Sequence, residues 1–231
     1  MTSLSERYSG SRVLVTGHTG FKGSWLTTWL LDLGAEVCGY SIDVPSAPSL
    51  FELAEISHRI DHCVGDVRDL DGFKQVLHRF RPDIVFHLAA QAIVSTSYAQ
   101  PLETFSTNVM GTATVLEALR HVDWPCAAVI ITSDKCYENV EWPWGYRETD
   151  RLGGKDVYSA SKGAAELVFH AYLHSFLAPG GTLRSATARA GNVIGGGDWA
   201  ADRIVVDCIK SWGDGRPVSY THLTLPTILR V

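Results

Sequence analysis

The amino-acid sequence predicts an α/β fold built on a doubly wound parallel sheet. Short apolar runs alternate with longer segments of helical periodicity, which predicts right-handed βαβ units. The short runs are continuously apolar rather than alternating, as expected of strands that are covered on both faces. At 231 residues, 45% of them hydrophobic, the chain can bury the core of one domain, or of one domain and part of another.

The elements follow one another in a regular order. Strands are expected at residues 12–16, 36–40, just before Gly65, 83–87, 127–132 and 183–189. Helices are expected at residues 23–33, 69–80, 102–120 and 158–176. Two stretches are irregular: residues 43–50 contain two prolines, and residues 138–156 form a long loop that leads into the last helix. A loop of this length is typical of a functional segment, although an aromatic-anchored surface loop is the alternative.

Composition narrows the function classes. Charged residues make up 19% of the chain and the net charge is −5, so no basic field favours nucleic acid. No run of about 18 apolar residues predicts a membrane span, and the first residues lack the apolar core of a secretory signal. The cysteines are odd in number and form no C-x-x-C pair, which favours a reduced, cytoplasmic protein. They are Cys38, Cys63, Cys126, Cys136 and Cys208.

A glycine-rich turn predicts a dinucleotide site. Three glycines with G-x-x-G-x-x-G spacing follow the first strand and open the first helix. Glycines permit the turn and let backbone N–H groups approach a pyrophosphate at the positive helix terminus. A plain βα turn is the alternative. The expected cofactor-binding residues of this turn are Gly17, His18, Thr19, Gly20, Phe21, Lys22 and Gly23.

Further cofactor positions follow from the other strand ends. Asp66, beside Val67, is placed to accept the adenine amino group. After the fourth strand the small residues Ala89 and Ala90 leave room for the cofactor, and Leu88 before them is also expected to contact it. Ser41 occupies the position after the second strand that discriminates between NAD and NADP. No arginine follows closely to hold a 2′-phosphate, so NAD is the expected cofactor.

A tyrosine and a lysine predict the chemistry. Tyr158 and Lys162 are four residues apart and therefore share a helix face. A cationic Lys162 beside an oxidised nicotinamide would lower the phenol pKa from about 10, so that Tyr158 can take a hydroxyl proton as hydride leaves. Ser133, at the end of the fifth strand, could bond the same hydroxyl. The Y-x-x-x-K spacing alone is also common on solvated helices.

Together these motifs resemble the extended short-chain dehydrogenase/reductase superfamily, and within it the CDP-glucose 4,6-dehydratase family. The similarity covers residues 12–207, and its most specific segments are 16–24, 39–41, 48–52, 132–139, 144–148, 158–162 and 189–199. The resemblance implies a Rossmann-like sheet followed by a substrate-binding lobe. It also implies an NAD-dependent hydro-lyase that converts CDP-glucose into CDP-4-keto-6-deoxyglucose.

The resemblance also implies the roles of individual residues. C4 oxidation by Tyr158 gives a 4-ketone, water leaves across C5 and C6, and the hydride returns to C6. By that matching Lys135 is the C5 base and Asp134 the acid for the departing C6 hydroxyl. The base role requires a lowered lysine pKa, which burial near Lys162 would produce. A loop salt bridge between Asp134 and Lys135 is the structural alternative.

Substrate contacts are expected by position at Gln91, Ser95, Tyr98, Asn192 and Arg203. A surface ion pair is the alternative for Arg203. Trp142, Trp144 and Trp199 are the tryptophans nearest the expected site, whereas Trp25, Trp29 and Trp212 are expected to pack in helices. His170 and His174 have metal-ligand spacing but no third ligand, so no metal is expected. Homo-oligomerisation through the helices at 102–120 and 158–176 is possible by resemblance.

The domain organisation follows from the extent of the similarity. We expect an NAD-binding Rossmann domain at residues 8–190, the start of a truncated substrate-binding lobe at 191–218, and a non-native tail at 219–231. Two other functions stay open: a sugar-nucleotide 4-epimerase or reductase with the same Tyr158–Lys162 pair, and an inactive cofactor-binding fragment.

Overall fold

A computed structural model describes residues 3–177 and 181–218. Six parallel strands form one sheet in the order β3-β2-β1-β4-β5-β6. The strands are β1 (Arg12–Thr16), β2 (Glu36–Ser41), β3 (Asp61–Val64), β4 (Ile84–His87), β5 (Cys126–Ser133) and β6 (Leu183–Ala190). The doubly wound, Rossmann-like sheet predicted from the sequence is thereby confirmed. The expected tail at 219–231 lies outside the described residues.

Nine α-helices accompany the sheet in the described part of the chain. They are α1 (Leu4–Tyr8), α2 (Phe21–Asp32), α3 (Leu50–Leu53), α4 (Leu70–Phe80), α5 (Val94–Ala99), α6 (Pro101–Phe105), α7 (Gly111–Leu119), α8 (Val157–Phe176) and α9 (Ile204–Gly213). Side-chain caps help to set their starts: Asp69 accepts from the Gly72 N–H at α4, and Asp156 accepts from the Ser159 N–H at α8.

Alternate residues of β1 enter two separate cores. Leu14 packs in the larger cluster, which includes residues of α4, α7 and α8. Val13 and Val15 point to the other face and pack against Leu30 of α2. Because both faces are covered, the three central residues of the strand are all apolar, and each fully buried aliphatic side chain stabilises the fold by about 1.5–3 kcal/mol.

The helix expected at 102–120 is interrupted. A π-helical turn, Ser106–Met110, separates α6 from α7. Asn108 is buried in this turn, and its side chain bonds the Gln91 backbone and the Ser161 hydroxyl. Hydrophobic periodicity predicts a helix here. It cannot show that one turn contains an extra residue, or that this π-helical turn directs the polar Asn108 side chain into the interior.

The sheet order places the functional edge. The chain leaves β1 towards β2 on one side, while β4 pairs with β1 on the other. At such a switch point a crevice opens beyond the carboxyl ends of the strands. The turn after β1 and the segment after β4 meet there, since a Cβ on Gly17 would lie only 2.7 Å from the Ala89 nitrogen.

Three tryptophans depart from the expectation that they pack in helices. Trp25, Trp29 and Trp212 are 49%, 54% and 68% exposed. Trp25 and Trp29 lie on the outer side of α2, where helical spacing alone cannot tell a covered face from an open one.

Within the described residues no helix is long and apolar enough to cross a membrane. All five cysteines are free thiols.

Candidate active site

The glycine turn is built so tightly that side chains are excluded at two positions. Gly17 has φ +72°, a left-handed conformation that favours glycine. A Cβ on Gly23 would lie 2.0 Å from the Gly17 carbonyl oxygen. The turn therefore presents bare backbone at the start of the twelve-residue helix α2. This cradle fits the pyrophosphate of a dinucleotide.

The His18 side chain is bonded within the protein, and its expected contact with the cofactor stays a prediction. Its side chain is fully buried, with Nδ1 2.8 Å from the Ser41 hydroxyl and Nε2 2.7 Å from His62 Nδ1. The ring fills the space left by Gly39, where a Cβ would lie 2.4 Å from it. Burial lowers the pKa of His18 to about 4, and the nearby His62 contributes to this lowering. His18 thus supports Ser41 from behind, and the sequence analysis missed His62.

The remaining expected cofactor residues differ in burial and in the hydrogen bonds that they already make within the protein. Asp66 already accepts from the Arg68 backbone and guanidinium at 2.6–3.0 Å, and this pairing lowers its pKa. Its expected bond to adenine stays a prediction. Thr19 donates to the Asp43 carbonyl at 2.6 Å, while Val67 is buried. Leu88, Ala89 and Ala90 follow β4 and are half-buried, and Phe21 and Lys22 lie in the first turn of α2.

Tyr158 and Lys162 lie together on α8, as predicted. Both side chains are buried, and the Lys162 Nζ is 6.0 Å from the centroid of the Tyr158 ring. In the protein alone, burial raises the pKa of Tyr158, although a hydrogen bond with Ser133 acts in the opposite direction. The lowering expected beside an oxidised nicotinamide stays a prediction. Burial also lowers the pKa of Lys162 to about 8, helped by the charge of Lys22.

Asp134 and Lys135 are not buried as the base role would require. They form a short turn after β5, and the Lys135 Nζ lies 3.2 Å from Asp134 Oδ2. Their side chains are 46% and 45% exposed. Ser133 donates to Asp134 at 3.0 Å and accepts from the Lys135 N–H at 3.2 Å. The structure therefore contains the salt bridge that was the structural alternative, placed directly beside Ser133.

A cavity of about 280 Å³ opens next to this ion pair. Its walls come from the turn after β5, the following loop and the start of α8. The lining residues are Asp134, Lys135, Tyr137, Asn139, Tyr146, Gly154, Lys155, Asp156 and Ser159. Tyr137 and Tyr146 stack with their ring centroids 5.0 Å apart, and Trp142 and Trp144 extend this aromatic group. The long loop thus forms one wall of a cavity at the site.

A buried polar network connects the π-helical turn, α7 and α8 with the ends of β4 and β1. The Asn108 amide donates to the Ser161 hydroxyl at 2.8 Å, next to Lys162. Thr112 donates to the Asn108 carbonyl at 2.7 Å and lies 3.4 Å from His87 Nε2. His87 Nδ1 is 2.7 Å from the Thr16 hydroxyl at the end of β1. The sequence analysis missed this network; the signal available was a run of polar residues inside an otherwise apolar helix.

The expected substrate contacts come from two segments that approach each other. Ser95 on α5 donates to Asp202, which joins α5 to the segment after β6. Tyr98, Asn192 and Arg203 are exposed, and Arg203 is 3.9 Å from Asp198. The Gln91 amide is taken up within the protein, since it donates to Thr104 at 2.9 Å and accepts from the Ile93 N–H at 2.6 Å. Trp199 is half-buried in the same segment.

Possible metal ligands lie elsewhere. Cys38, Asp61 and Cys63 come together on β2 and β3. The Arg79 guanidinium is 2.8 Å from Asp61 and 3.1 Å from the Cys63 sulfur, so a positive charge already neutralises this group. His170 and His174 stack on the exposed face of α8.

Comparison with known proteins identifies the family. The family model described as GDP-mannose 4,6-dehydratase matches residues 14–185. The chain belongs to this family. It is 51% identical over 215 residues to a CDP-glucose 4,6-dehydratase of Salmonella typhimurium, covering 91% of this chain and 60% of the relative. It is 27% identical over 205 residues to a CDP-paratose 2-epimerase of Salmonella typhi, covering 82% and 59%.

Solved structures give the same picture of the 4,6-dehydratase family fold. A UDP-glucose 4-epimerase of Thermus thermophilus in complex with NAD superposes with a TM-score of 0.75 and 30% identity, over 90% of this chain and 64% of that one. The epimerase Mth375 of Methanothermobacter thermautotrophicus gives 0.79 and 25%, over 94% and 62%. The chain thus spans about 60% of the length of these relatives.

Proposed function

We propose that this chain is the cofactor-binding part of an NAD-dependent CDP-glucose 4,6-dehydratase. One observation carries the proposal: Tyr158 bonds Ser133 at the end of β5 and its ring centroid lies 6.0 Å from the Lys162 Nζ, and Ser133 in turn contacts Asp134 and Lys135. An oxidation alone needs only the first three groups. The similarity to a CDP-glucose 4,6-dehydratase supports the choice of a dehydratase and of the nucleotide.

The residues of the glycine turn would hold the cofactor. Gly17 and Gly23 keep side chains out of the turn, so that the N–H groups in the first turn of α2 would hold the pyrophosphate, and Ser41 would lie at the ribose end. When bound, the nicotinamide supplies the hydride acceptor for C4 and afterwards the hydride donor for C6. NAD in the complex of the Thermus relative supports this assignment.

Tyr158 performs the first proton transfer. Its phenolate takes the proton of the C4 hydroxyl while hydride leaves C4, so that a 4-ketone forms. Lys162 stabilises the phenolate by its positive charge, and Ser133 bonds the C4 hydroxyl of the sugar. Burial raises the pKa of Tyr158 and lowers that of Lys162, so it favours the neutral form of each side chain. The phenolate and the ammonium therefore depend on each other and on the other charges of the assembled site.

Asp134 and Lys135 would carry the elimination. The 4-ketone acidifies the C5 proton, Lys135 removes it, and Asp134 protonates the C6 hydroxyl as water leaves. Hydride then reaches C6 and a proton returns to C5, so no net oxidation occurs. For this chemistry the ammonium proton of Lys135 must pass to Asp134, and the two side chains must separate, when the sugar enters and covers them. The substrate contacts are assigned to Ser95, Tyr98, Asn192 and Arg203, with Gln91 holding the loop between β4 and α5.

A product assay tests the proposal. This chain and a matched chain that carries a complete C-terminal lobe are incubated with NAD and CDP-glucose. A dehydratase gives a product that has lost one water and carries a 4-ketone and a C6 methyl group. A 4-epimerase would give an isomer of unchanged mass, and calorimetry that detects NAD but no CDP-glucose would indicate a fragment limited to cofactor binding. A homo-oligomer and a cytoplasmic location remain predictions from the sequence.

A further inference from the structure

A buried carboxylate joins three elements behind the catalytic pair. Glu166 lies on α8, one turn after Lys162, and is completely buried. It accepts from the Thr132 hydroxyl on β5, and on β6 from the Thr187 hydroxyl at 3.2 Å and the Arg189 guanidinium at 2.9 Å. These hydrogen bonds keep the carboxylate charged, because they lower its pKa although burial raises it.

Arg189 does not end at this ion pair. A second arm of its guanidinium donates to the Tyr137 hydroxyl at 2.9 Å and to the Glu148 carbonyl at 3.0 Å. The guanidinium carbon lies 4.8 Å from the centroid of the Tyr137 ring. Tyr137 and Glu148 both belong to the aromatic loop, which we define as residues 137–152. One side chain therefore binds the catalytic helix with one arm and the aromatic loop with the other.

The aromatic loop lines the cavity beside Asp134 and Lys135. Its first residue, Tyr137, stacks on Tyr146, whose hydroxyl accepts from the Val140 N–H at 2.9 Å. Its ends meet through the Glu138 N–H, which donates to the Arg151 carbonyl at 2.9 Å. The loop is thus internally ordered, and Arg189 connects it to Glu166 in the protein interior.

We propose that Arg189 is a positioning residue that couples the aromatic loop to the helix carrying Tyr158 and Lys162. Only an arginine can serve both sides at once, because its planar guanidinium presents separate donors in a fixed arrangement, whereas lysine presents a single ammonium. With the coupling intact, the wall of the cavity and the catalytic helix keep one relative geometry. Its importance for the reaction rests on the proposed function, but the coupling itself is testable without substrate.

Hydrogen–deuterium exchange of the intact chain tests the coupling. Tyr137→Phe removes one of the two loop acceptors of Arg189, the hydroxyl, and keeps the ring stack and the bond to the Glu148 carbonyl. We expect amides in residues 137–152 to exchange at least about tenfold faster, the factor for losing one hydrogen bond to a charged group. Peptides from β1 and β4 should be unchanged. Tyr172→Phe is the matched control, because it removes a hydroxyl that bonds Glu117 on α7, away from the loop.

Substitution of Arg189 separates positioning from charge compensation. Arg189→Met leaves Glu166 buried without its cationic partner and should lower the melting temperature. Arg189→Lys should restore the melting temperature but leave the loop amides exchanging about tenfold faster than in the parent chain. Should Arg189→Met fail to fold, Tyr137→Phe still decides. Loop exchange equal to that of the parent in Tyr137→Phe, or full rescue of loop exchange by lysine, would overturn the proposal.

Discussion

Gly23→Ala tests the geometry on which cofactor binding depends. The added Cβ would lie 2.0 Å from the Gly17 carbonyl oxygen and 2.7 Å from the His18 Cα, both of them backbone atoms. Relief to an ordinary contact of 3.4 Å requires the turn and α2 to separate by about 1.4 Å. Overpacking of this kind costs about 1–3 kcal/mol, and a backbone neighbour puts it at the upper end. Alanine recovers about 1 kcal/mol of helix propensity, so we expect a net loss of about 2 kcal/mol.

The same shift misaligns the backbone donors of the turn. Losing one hydrogen bond to a charged phosphate weakens binding by about 1.5–3 kcal/mol, so the dissociation constant for NAD should rise at least about tenfold. Urea unfolding and calorimetric NAD titration measure the two effects. Gly145→Ala is the control, because a Cβ there meets nothing within 4 Å. Unchanged stability together with unchanged NAD affinity in Gly23→Ala would refute the close approach of the turn and helix.

Three further predictions concern charge. Lys162→Met should be about 3 kcal/mol more stable than the parent at pH 7, because the folded state lowers the lysine pKa from 10.5 to about 8. This difference in stability should shrink as the pH rises from 8 to 10.5. Urea unfolding measures it, and a difference that stays constant with pH would contradict the prediction. His18 is held neutral with a pKa of about 4, so its stabilising contribution should be present above pH 6.5 and be lost as the pH falls towards 4. In His18→Gln the free energy of unfolding should therefore fall less steeply between pH 6.5 and 4 than in the parent. An equally steep fall would count against the buried pair of His18 and His62. In an enzyme with the complete lobe, Lys135→Met should retain C4 oxidation and lose exchange of the C5 proton with solvent, and equal exchange in mutant and parent would exclude the base role.

The sheet could be predicted because its strands are covered on both faces. Val13, Leu14 and Val15 are all fully buried, so the middle of the first strand is a continuous apolar run. The glycine turn and the Tyr158–Lys162 pair could also be predicted from the sequence, since each depends on local spacing along one element. The same local reasoning failed for Trp25 and Trp29, because which face of α2 is covered depends on elements distant in sequence.

The supporting residues of the site could not be predicted for a related reason. Glu166 meets Thr132, Thr187 and Arg189 only because β5 and β6 pair in register beneath α8. The contact between His18 and His62 likewise depends on the packing of β3 beside β2. Such pairs are recognisable only once the sheet order is known. Lys135 was expected to be buried, but the turn after β5 leaves it at the surface.

Titration of the chain with NAD, followed by CDP-glucose, tests the central claim most directly. The account predicts one NAD site per chain, weakened at least about tenfold by Gly23→Ala and unaffected by Gly145→Ala. A folded chain that binds no NAD, or that binds it equally well with the turn displaced, would contradict the assignment of the crevice between β1 and β4 as the cofactor site.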